Sequence, residues 1–189
     1  WIIDPLDGTT NYIHGYPQFA VSVAAQVKGE IVAGVVIDVD RNEEFTAEKG
    51  GGAKLNGAPI SVSPVKTLDK ALILTGFPFK ANKHMEDFIT VFRDLLPRTS
   101  GIRRAGSAAL DLAHIAAGRA DGFWEFGLSA WDIAAGELLV TEAGGIVTDV
   151  EGGNRHLETG HTLCGNPAIY EELKNTLRAH FEPGYFILD

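Results

Sequence analysis

The chain has 189 residues, 45% of them hydrophobic, with one cysteine and a formal net charge of −9. This composition supports a substantial core in one domain or two closely packed ones, and no run approaches the roughly 20 apolar residues that a membrane span needs. The negative balance argues against sequence-independent nucleic-acid binding, which needs a positive surface to release counterions, and the lone thiol of Cys164 excludes an internal disulfide and favours a reducing cytosol.

Trp1, Ile2 and Ile3 read as a strand already under way, and Met85 is the only methionine, so the chain reads as a fragment without its N-terminal part. Pro5 is expected to stop the first strand at residue 4, because proline cannot donate to a sheet ladder. Residues 19–27 and 31–39 predict two strands joined by a hairpin at Lys28-Gly29-Glu30. Phe45 to Ala47 is a further strand, followed by turns at Lys49-Gly50-Gly51-Gly52 and Leu55-Asn56-Gly57. Ile60 to Ser63 and Ala71 to Thr75 extend this β-rich half, about residues 1–80.

The second half, about 81–189, alternates helix and strand. Phe88, Ile89, Phe92, Leu95 and Leu96 have helical spacing and predict a helix from Met85 that ends before Pro97. Ser107 is placed to cap a helix to about Ala117, with Gly118 as its stop and Ala109, Leu112, Ala113 and Ala116 as its buried stripe. Asp121 to Phe126 predicts a strand, Asp132 to Ala143 a helix, Ile146 to Val150 a strand and Pro167 to His180 a last helix. Strands first and alternation afterwards predict layered sheets and helices (an α/β, α+β-like class) in a single domain over 1–189.

The most informative string is Asp4-Pro5-Leu6-Asp7-Gly8-Thr9-Thr10-Asn11. Two carboxylates flank a proline at the end of an apolar strand, where α/β sheets commonly place their sites. Gly8 permits close backbone approach, and Thr9 offers a hydroxyl and an N–H to a phosphate oxygen. Two ionised carboxylates about 4 Å apart repel by roughly 4 kcal/mol at an effective dielectric of 20. A hard divalent cation removes that conflict, and all-oxygen ligands favour Mg²⁺, Ca²⁺ or Mn²⁺ over zinc. A second string, Trp131-Asp132-Ile133-Ala134-Ala135-Gly136, puts an aspartate at the start of a small-residue helix. From position alone Asp132 reads as a helix cap, Ser107 as another cap, and Glu125 as a solvated acid in a strand.

Together these strings resemble the two signatures of the inositol monophosphatase family, and the likeness to its bacterial type extends through Asn56-Gly57, Gly76-Phe77-Pro78, Gly106-Ser107-Ala108-Ala109, Glu142-Ala143-Gly144-Gly145 and Gly165-Asn166-Pro167. The resemblance implies a five-layer αβαβα sandwich of the sugar-phosphatase type, here lacking its N-terminal helical part, and a homodimer. It implies hydrolysis of a small phosphorylated polyol or sugar with two or three Mg²⁺ ions. Asp4 would bridge two metals, Leu6 would give its carbonyl to one of them, and Asp7 and Asp132 would complete much of the ligand set of the other. Thr9 would orient water, Gly8 and Thr9 would bind phosphate, Gly106, Ser107 and Ala108 would line the pocket, and Glu125 would reach substrate hydroxyls. The family carries a further glutamate motif ahead of the first signature, which this sequence does not contain, so the chain as it stands is expected to hold one metal weakly and to be inactive.

Thr9-Thr10-Asn11-Tyr12 is similar to the inositol phosphate branch rather than to nucleotide phosphatases, which often carry a long residue after the threonine. Fructose 1,6-bisphosphate is the alternative substrate within the same chemistry. Some bacterial relatives join transcription complexes, and Arg98, Arg103 and Arg104 form a small basic cluster that suits such a contact or a solvated rim. His14, His84, His114, His156, His161 and His180 show no metal-ligand spacing.

Overall fold

The computed structural model describes residues 1–78 and 84–186. Its first sheet is an antiparallel run in chain order: β1 (Ile2–Asp7), β2 (Ala20–Val27), β3 (Glu30–Asp38), β4 (Glu43–Glu48), β5 (Gly52–Leu55) and β6 (Ala58–Pro59). The predicted β2–β3 hairpin forms through Lys28 and Gly29, with φ of 53° and 86°. Positive φ at both turn positions matches the right-handed twist of the flanking strands.

Pro5 does not stop β1, which runs on to Asp7. Among the described residues the strand lies at the sheet edge beside β2, and Pro5 falls where the β1–β2 register shifts, so no ladder pair there calls for the N–H that proline lacks. Ile60 to Ser63 is not a strand either; the Ile60 N–H donates to Ala53 O, and the Val62 N–H to Ala143 O.

The second sheet has the order β10-β11-β9-β7-β8. It comprises β7 (Leu72–Thr75), β8 (Gly101–Arg103), β9 (Gly122–Glu125), β10 (Ile146–Asp149) and β11 (Thr162–Gly165). β7 is parallel to β8 and β9, while β9, β11 and β10 pair antiparallel. The β7 segment therefore leaves the β-rich half and joins the second sheet, and the expected division at 80/81 falls outside the described residues.

The helices are α1 (Thr9–Ile13), α2 (Met85–Leu95), α3 (Ala108–Ala116), α4 (Ala130–Glu142), α5 (His156–Thr159) and α6 (Pro167–His180). α2 continues as a 3₁₀ turn through Pro97, and α4 begins two residues before the expected Asp132.

Small residues set the layer spacing. A Cβ on Gly34 of β3 would stand 3.0 Å from Ala135 O, and one on Gly136 would stand 2.5 Å from Leu112 Cβ, so α4 lies close against both the first sheet and α3. Ala24, Val36, Phe45 and Ala47 of the first sheet share one core with Leu112 of α3, with Leu139 of α4, and with Leu74, Phe123 and Cys164 of the second sheet. On the opposite face of the second sheet, Ile73, Trp124 and Leu163 meet Phe88 and Leu95 of α2 and Ile169 and Leu173 of α6.

Successive residues of β7, β9 and β11 thus enter different cores, which is why these strands read as continuous apolar runs. The result is sheet, helix pair, sheet, helix pair: an α/β sandwich with four of the five expected layers formed by described residues. The outer face of the first sheet carries Ile3, Val23 and Val35 in register, with Ile3 52% exposed. Among the described residues no helix is long and apolar enough to cross a membrane. Cys164 is fully buried, which pushes its thiol far above the ordinary range and leaves it inert.

Candidate active site

The site begins at the edge strand. Side chains alternate along a strand, so residues three apart point to opposite faces. The β1–β2 register shifts between Asp4 and Asp7, and this irregularity around Pro5-Leu6 turns both carboxylates to one side. Asp4 Oδ1 accepts from the Leu6 N–H at 3.0 Å. Gly8 then turns the chain at φ +80°, where a Cβ would stand 2.7 Å from Gln18 O, and α1 follows. The Thr9 hydroxyl donates to Leu6 O at 2.9 Å. Asn11 Nδ2 donates to Gln18 O at 2.7 Å and Ala105 O at 2.9 Å, fastening this loop to the chain just before α3.

Ser107 caps α3 as expected, accepting from the Leu110 N–H. It does more: its hydroxyl donates to Asp7 Oδ2 at 2.6 Å, and the Ala109 N–H donates to the same oxygen at 2.8 Å. Asp7 therefore sits at the helix N-terminus, where the unpaired N–H groups favour an anion. Asp132 is not the cap of α4. That place belongs to Ser129, and Asp132 stands three residues on in a capping box, its Oδ2 accepting from the Ser129 N–H at 2.8 Å.

The three aspartates meet: Asp4, Asp7 and Asp132 each offer a carboxylate oxygen, and all three oxygens lie within 4.8 Å of one another. Burial, more than any other cause, pushes the Asp7 pKa up to about 6, with the charges of Asp132 and Asp4 adding to it and the Ser107 and Ala109 hydrogen bonds opposing it. Such a cluster is electrostatically strained unless a cation joins it, and an all-oxygen donor set fits a hard divalent ion. Asp4, Asp7, Asp132 and the nearby Leu6 carbonyl are the groups that could hold one.

Asp7 and Asp132 also line a cavity of about 150 Å³, together with Gly106, Ser107, Ala108 and Glu125. Asp4 and Leu6 in β1, and Gly8 and Thr9 at the start of α1, flank Asp7 and are not part of that wall. The Glu125 carboxyl lies over Gly76, so close that a Cβ there would fall 2.0 Å from Glu125 Oε1. Arg104 stacks over the Phe77 ring at 5.1 Å to its centroid.

Sequence reasoning missed Asn11 as the loop's fastener and Asp111 in the cavity wall. Asp111 follows Ser107 by one helical turn and so lies on the same side of α3, but no sequence signal shows that this side faces a cavity. It is 1% exposed, and burial first, then Glu125 and Asp7, push its pKa well above the ordinary carboxylate range.

His114, which has no metal-ligand spacing in the sequence, lies in space with Asp38 and Glu43 in a second three-residue cluster. There, however, Arg41 pairs with Asp38 at 2.7 Å and Arg119 with Glu43 at 2.6 Å, so arginines already supply the counter-charge. Of the three arginines read as a basic cluster, Arg98 pairs with Asp94, Arg104 lies over the Phe77 ring, and Arg103 donates to Ile102 O.

The sequence profile of the inositol monophosphatase family matches residues 1–182. The chain belongs to the inositol monophosphatase family. It is 54% identical over 185 residues to a Pseudomonas aeruginosa protein named Nus factor SuhB, covering 97% of this chain and 68% of that one. It is 50% identical over 178 residues to an inositol-1-monophosphatase of Rhizobium meliloti, covering 94% of this chain and 67% of that one. Among solved structures, the suhB extragenic suppressor protein of Bartonella henselae superposes with a TM-score of 0.91 at 47% identity, covering 95% of this chain and 69% of that one. An inositol monophosphatase of Anabaena (Nostoc) superposes with a TM-score of 0.91 at 44% identity, covering 97% and 72%. Membership in the inositol monophosphatase family supports a phosphatase.

Proposed function

We propose that this inositol monophosphatase family member hydrolyses a small phosphate monoester, inositol 1-phosphate, with Mg²⁺ as its metal. The observation that carries the reading is the convergence of Asp4, Asp7 and Asp132 beside a cavity walled by Ser107, Ala108 and Glu125. Phosphate monoesters resist hydrolysis so strongly that enzymes accelerate it by up to ~10²¹. A positioned general base supplies only about 10² to 10⁴ of this. Mg²⁺, when bound, neutralises phosphate charge and lowers the pKa of water.

The chain's own residues do the rest. Asp4, Asp7, Asp132 and the Leu6 carbonyl hold the metal. Ser107 and the Ala109 N–H fix the Asp7 carboxylate. The Thr9 hydroxyl has its proton committed to Leu6 O, which leaves its oxygen to accept a hydrogen bond from the attacking water. Gly8 and Thr9 present N–H groups to the phosphate, Gly106 to Ala108 form the wall, and Glu125 accepts from the hydroxyls of the leaving group.

The test is phosphate release by the full-length protein from inositol 1-phosphate, fructose 1,6-bisphosphate and 3′-phosphoadenosine 5′-phosphate, each with Mg²⁺ and with added Li⁺. The reading expects inositol 1-phosphate to be preferred and Li⁺ to inhibit. Preference for the bisphosphate would move the assignment to sugar phosphates, and no Mg²⁺-dependent release from any ester would end it. A cytoplasmic homodimer belongs to the same reading.

The name Nus factor SuhB on relatives at 51–54% identity favours a second role, contact with the transcription machinery. Capture of RNA polymerase factors by the full-length protein, measured beside phosphatase activity, separates the two.

A further inference from the structure

Asp111 is unlike its neighbours on α3. Leu110, Leu112, Ala113 and Ile115 are each 0% exposed and apolar, filling the core between the sheets. Asp111 is buried as deeply, at 1%, yet its Oδ1 has no hydrogen-bond partner among the described residues. A buried polar group left unsatisfied costs about 1–3 kcal/mol, so such a group calls for a partner outside the fold.

The direction of that partner is given by the cavities. Asp111 lines the active-site cavity together with Ser107 and Glu125. It also lines a second space of about 260 Å³ on its other side, bounded by Tyr16, Leu74, Arg103 and His114. Its side chain is thus the partition between the two. Within the active-site cavity it lies one helical turn behind Ser107, deeper in α3 than the turn that fixes Asp7.

We propose that Asp111 is a specificity-determining residue, whose carboxyl closes the cavity floor and hydrogen-bonds a hydroxyl of the leaving group, so that the site selects hydroxyl-rich esters over plain aryl or alkyl phosphates. This rests on the phosphatase reading above. A hydrophobic floor would not discriminate against an ester without hydroxyls. A floor with one unpaired polar group does, because the plain ester leaves that group unsatisfied.

The experiment uses the full-length protein with Mg²⁺ and two substrates, inositol 1-phosphate and p-nitrophenyl phosphate, whose leaving group has no second hydroxyl. Asp111→Leu is expected to raise the ratio of the inositol 1-phosphate KM to the p-nitrophenyl phosphate KM about tenfold, the size of one lost hydrogen bond. Asp111→Asn, close in shape and still able to hydrogen-bond, is expected to keep the ratio within about threefold of wild type. If the leucine variant does not fold, Asp111→Ala, which removes the carboxyl without adding bulk, carries the same expectation of about tenfold. A KM ratio unmoved in the leucine or alanine variant overturns the inference and leaves a purely structural role. If wild type releases phosphate from neither ester, the phosphatase reading fails first, and the inference with it.

Discussion

Asp7, at the end of an edge strand, and Asp132, in the first turn of α4, present carboxylate oxygens within 4.8 Å of each other although they come from distant parts of the chain. The two elements are held in this relation by the close packing of α4 on the first sheet through Gly34 and Ala135. Each carboxylate is also anchored locally, Asp7 by Ser107 and Ala109 and Asp132 by the Ser129 N–H. The site is therefore organised before any ion arrives, and its stored repulsion is available to a cation.

Mg²⁺ is accordingly expected to raise the melting temperature of the protein, since an ion that binds only the folded state stabilises it. Asp132→Asn keeps an acceptor for the Ser129 N–H but removes one charge. It should leave the metal-free melting temperature level or higher and abolish most of the Mg²⁺-dependent rise. Thermal denaturation across a Mg²⁺ titration measures both, and an undiminished rise in the variant would remove Asp132 from the metal site.

Gly76 tests the other end of the cavity. Its missing side chain is the space that the Glu125 carboxyl occupies. Gly76→Ala, just past the end of β7, should push Glu125 aside rather than shift the backbone, because the obstructing atoms are the far end of a flexible side chain. The expected result is a several-fold higher KM for inositol 1-phosphate with a stability change under about 1 kcal/mol. Steady-state kinetics beside urea denaturation check it, and an unchanged KM would show that Glu125 does not serve the substrate.

His114 gives a pH signature away from the cavity. Burial above all, then the neighbouring Arg119 and Arg41, lower its pKa from 6.5 to about 4. As pH falls from about 6.5, the unfolded chain takes up a proton that the folded one refuses. The stability contributed by the neutral imidazole is therefore complete above pH 6.5 and is lost on the way down to about pH 4, to a limit of about 3 kcal/mol. His114→Phe keeps the edge contact with Phe45. Its urea midpoint should fall less than wild type between pH 7 and pH 5, and parallel curves would refute the assignment.

The sequence displayed this site more completely than it displayed the fold around it. Asp4 and Asp7 were legible as a metal-seeking pair because two carboxylates across a proline bend repel unless a cation joins them, whereas Asp132 read by position only as a helix cap and joined them through the family resemblance. The strand limits themselves misled. Pro5 was expected to end β1, but a sheet edge tolerates it. β8 and β11, each short and both-sided in its burial or placed at an edge, carry no period of two to detect. Asp132 was placed at the cap of α4 because a single aspartate before an apolar run looks like one, whereas Ser129 and Asp132 share the capping box. Asp111 was invisible as a site residue because nothing in the sequence says which side of α3 faces a cavity.

The relation between α3 and α4 gives the last prediction. A Cβ on Gly136 would stand 2.5 Å from both Leu112 Cβ and Cδ1, well inside contact distance, and those atoms belong to a fully buried side chain. Alanine is the better helix former by about 1 kcal/mol in a solvated helix. Here that gain is outweighed, because overpacking a filled core costs about 1–3 kcal/mol. Relief of the clash would move α4 away from α3, and Asp132 moves with α4 while Asp7 stays fixed to the first turn of α3. Gly136→Ala should therefore lower the urea midpoint and, separately, weaken Mg²⁺ binding several-fold, measured by calorimetric titration under conditions where the variant is fully folded. A variant that is destabilised but binds Mg²⁺ as wild type does would show that the spacing of these two helices does not set the distance between the carboxylates.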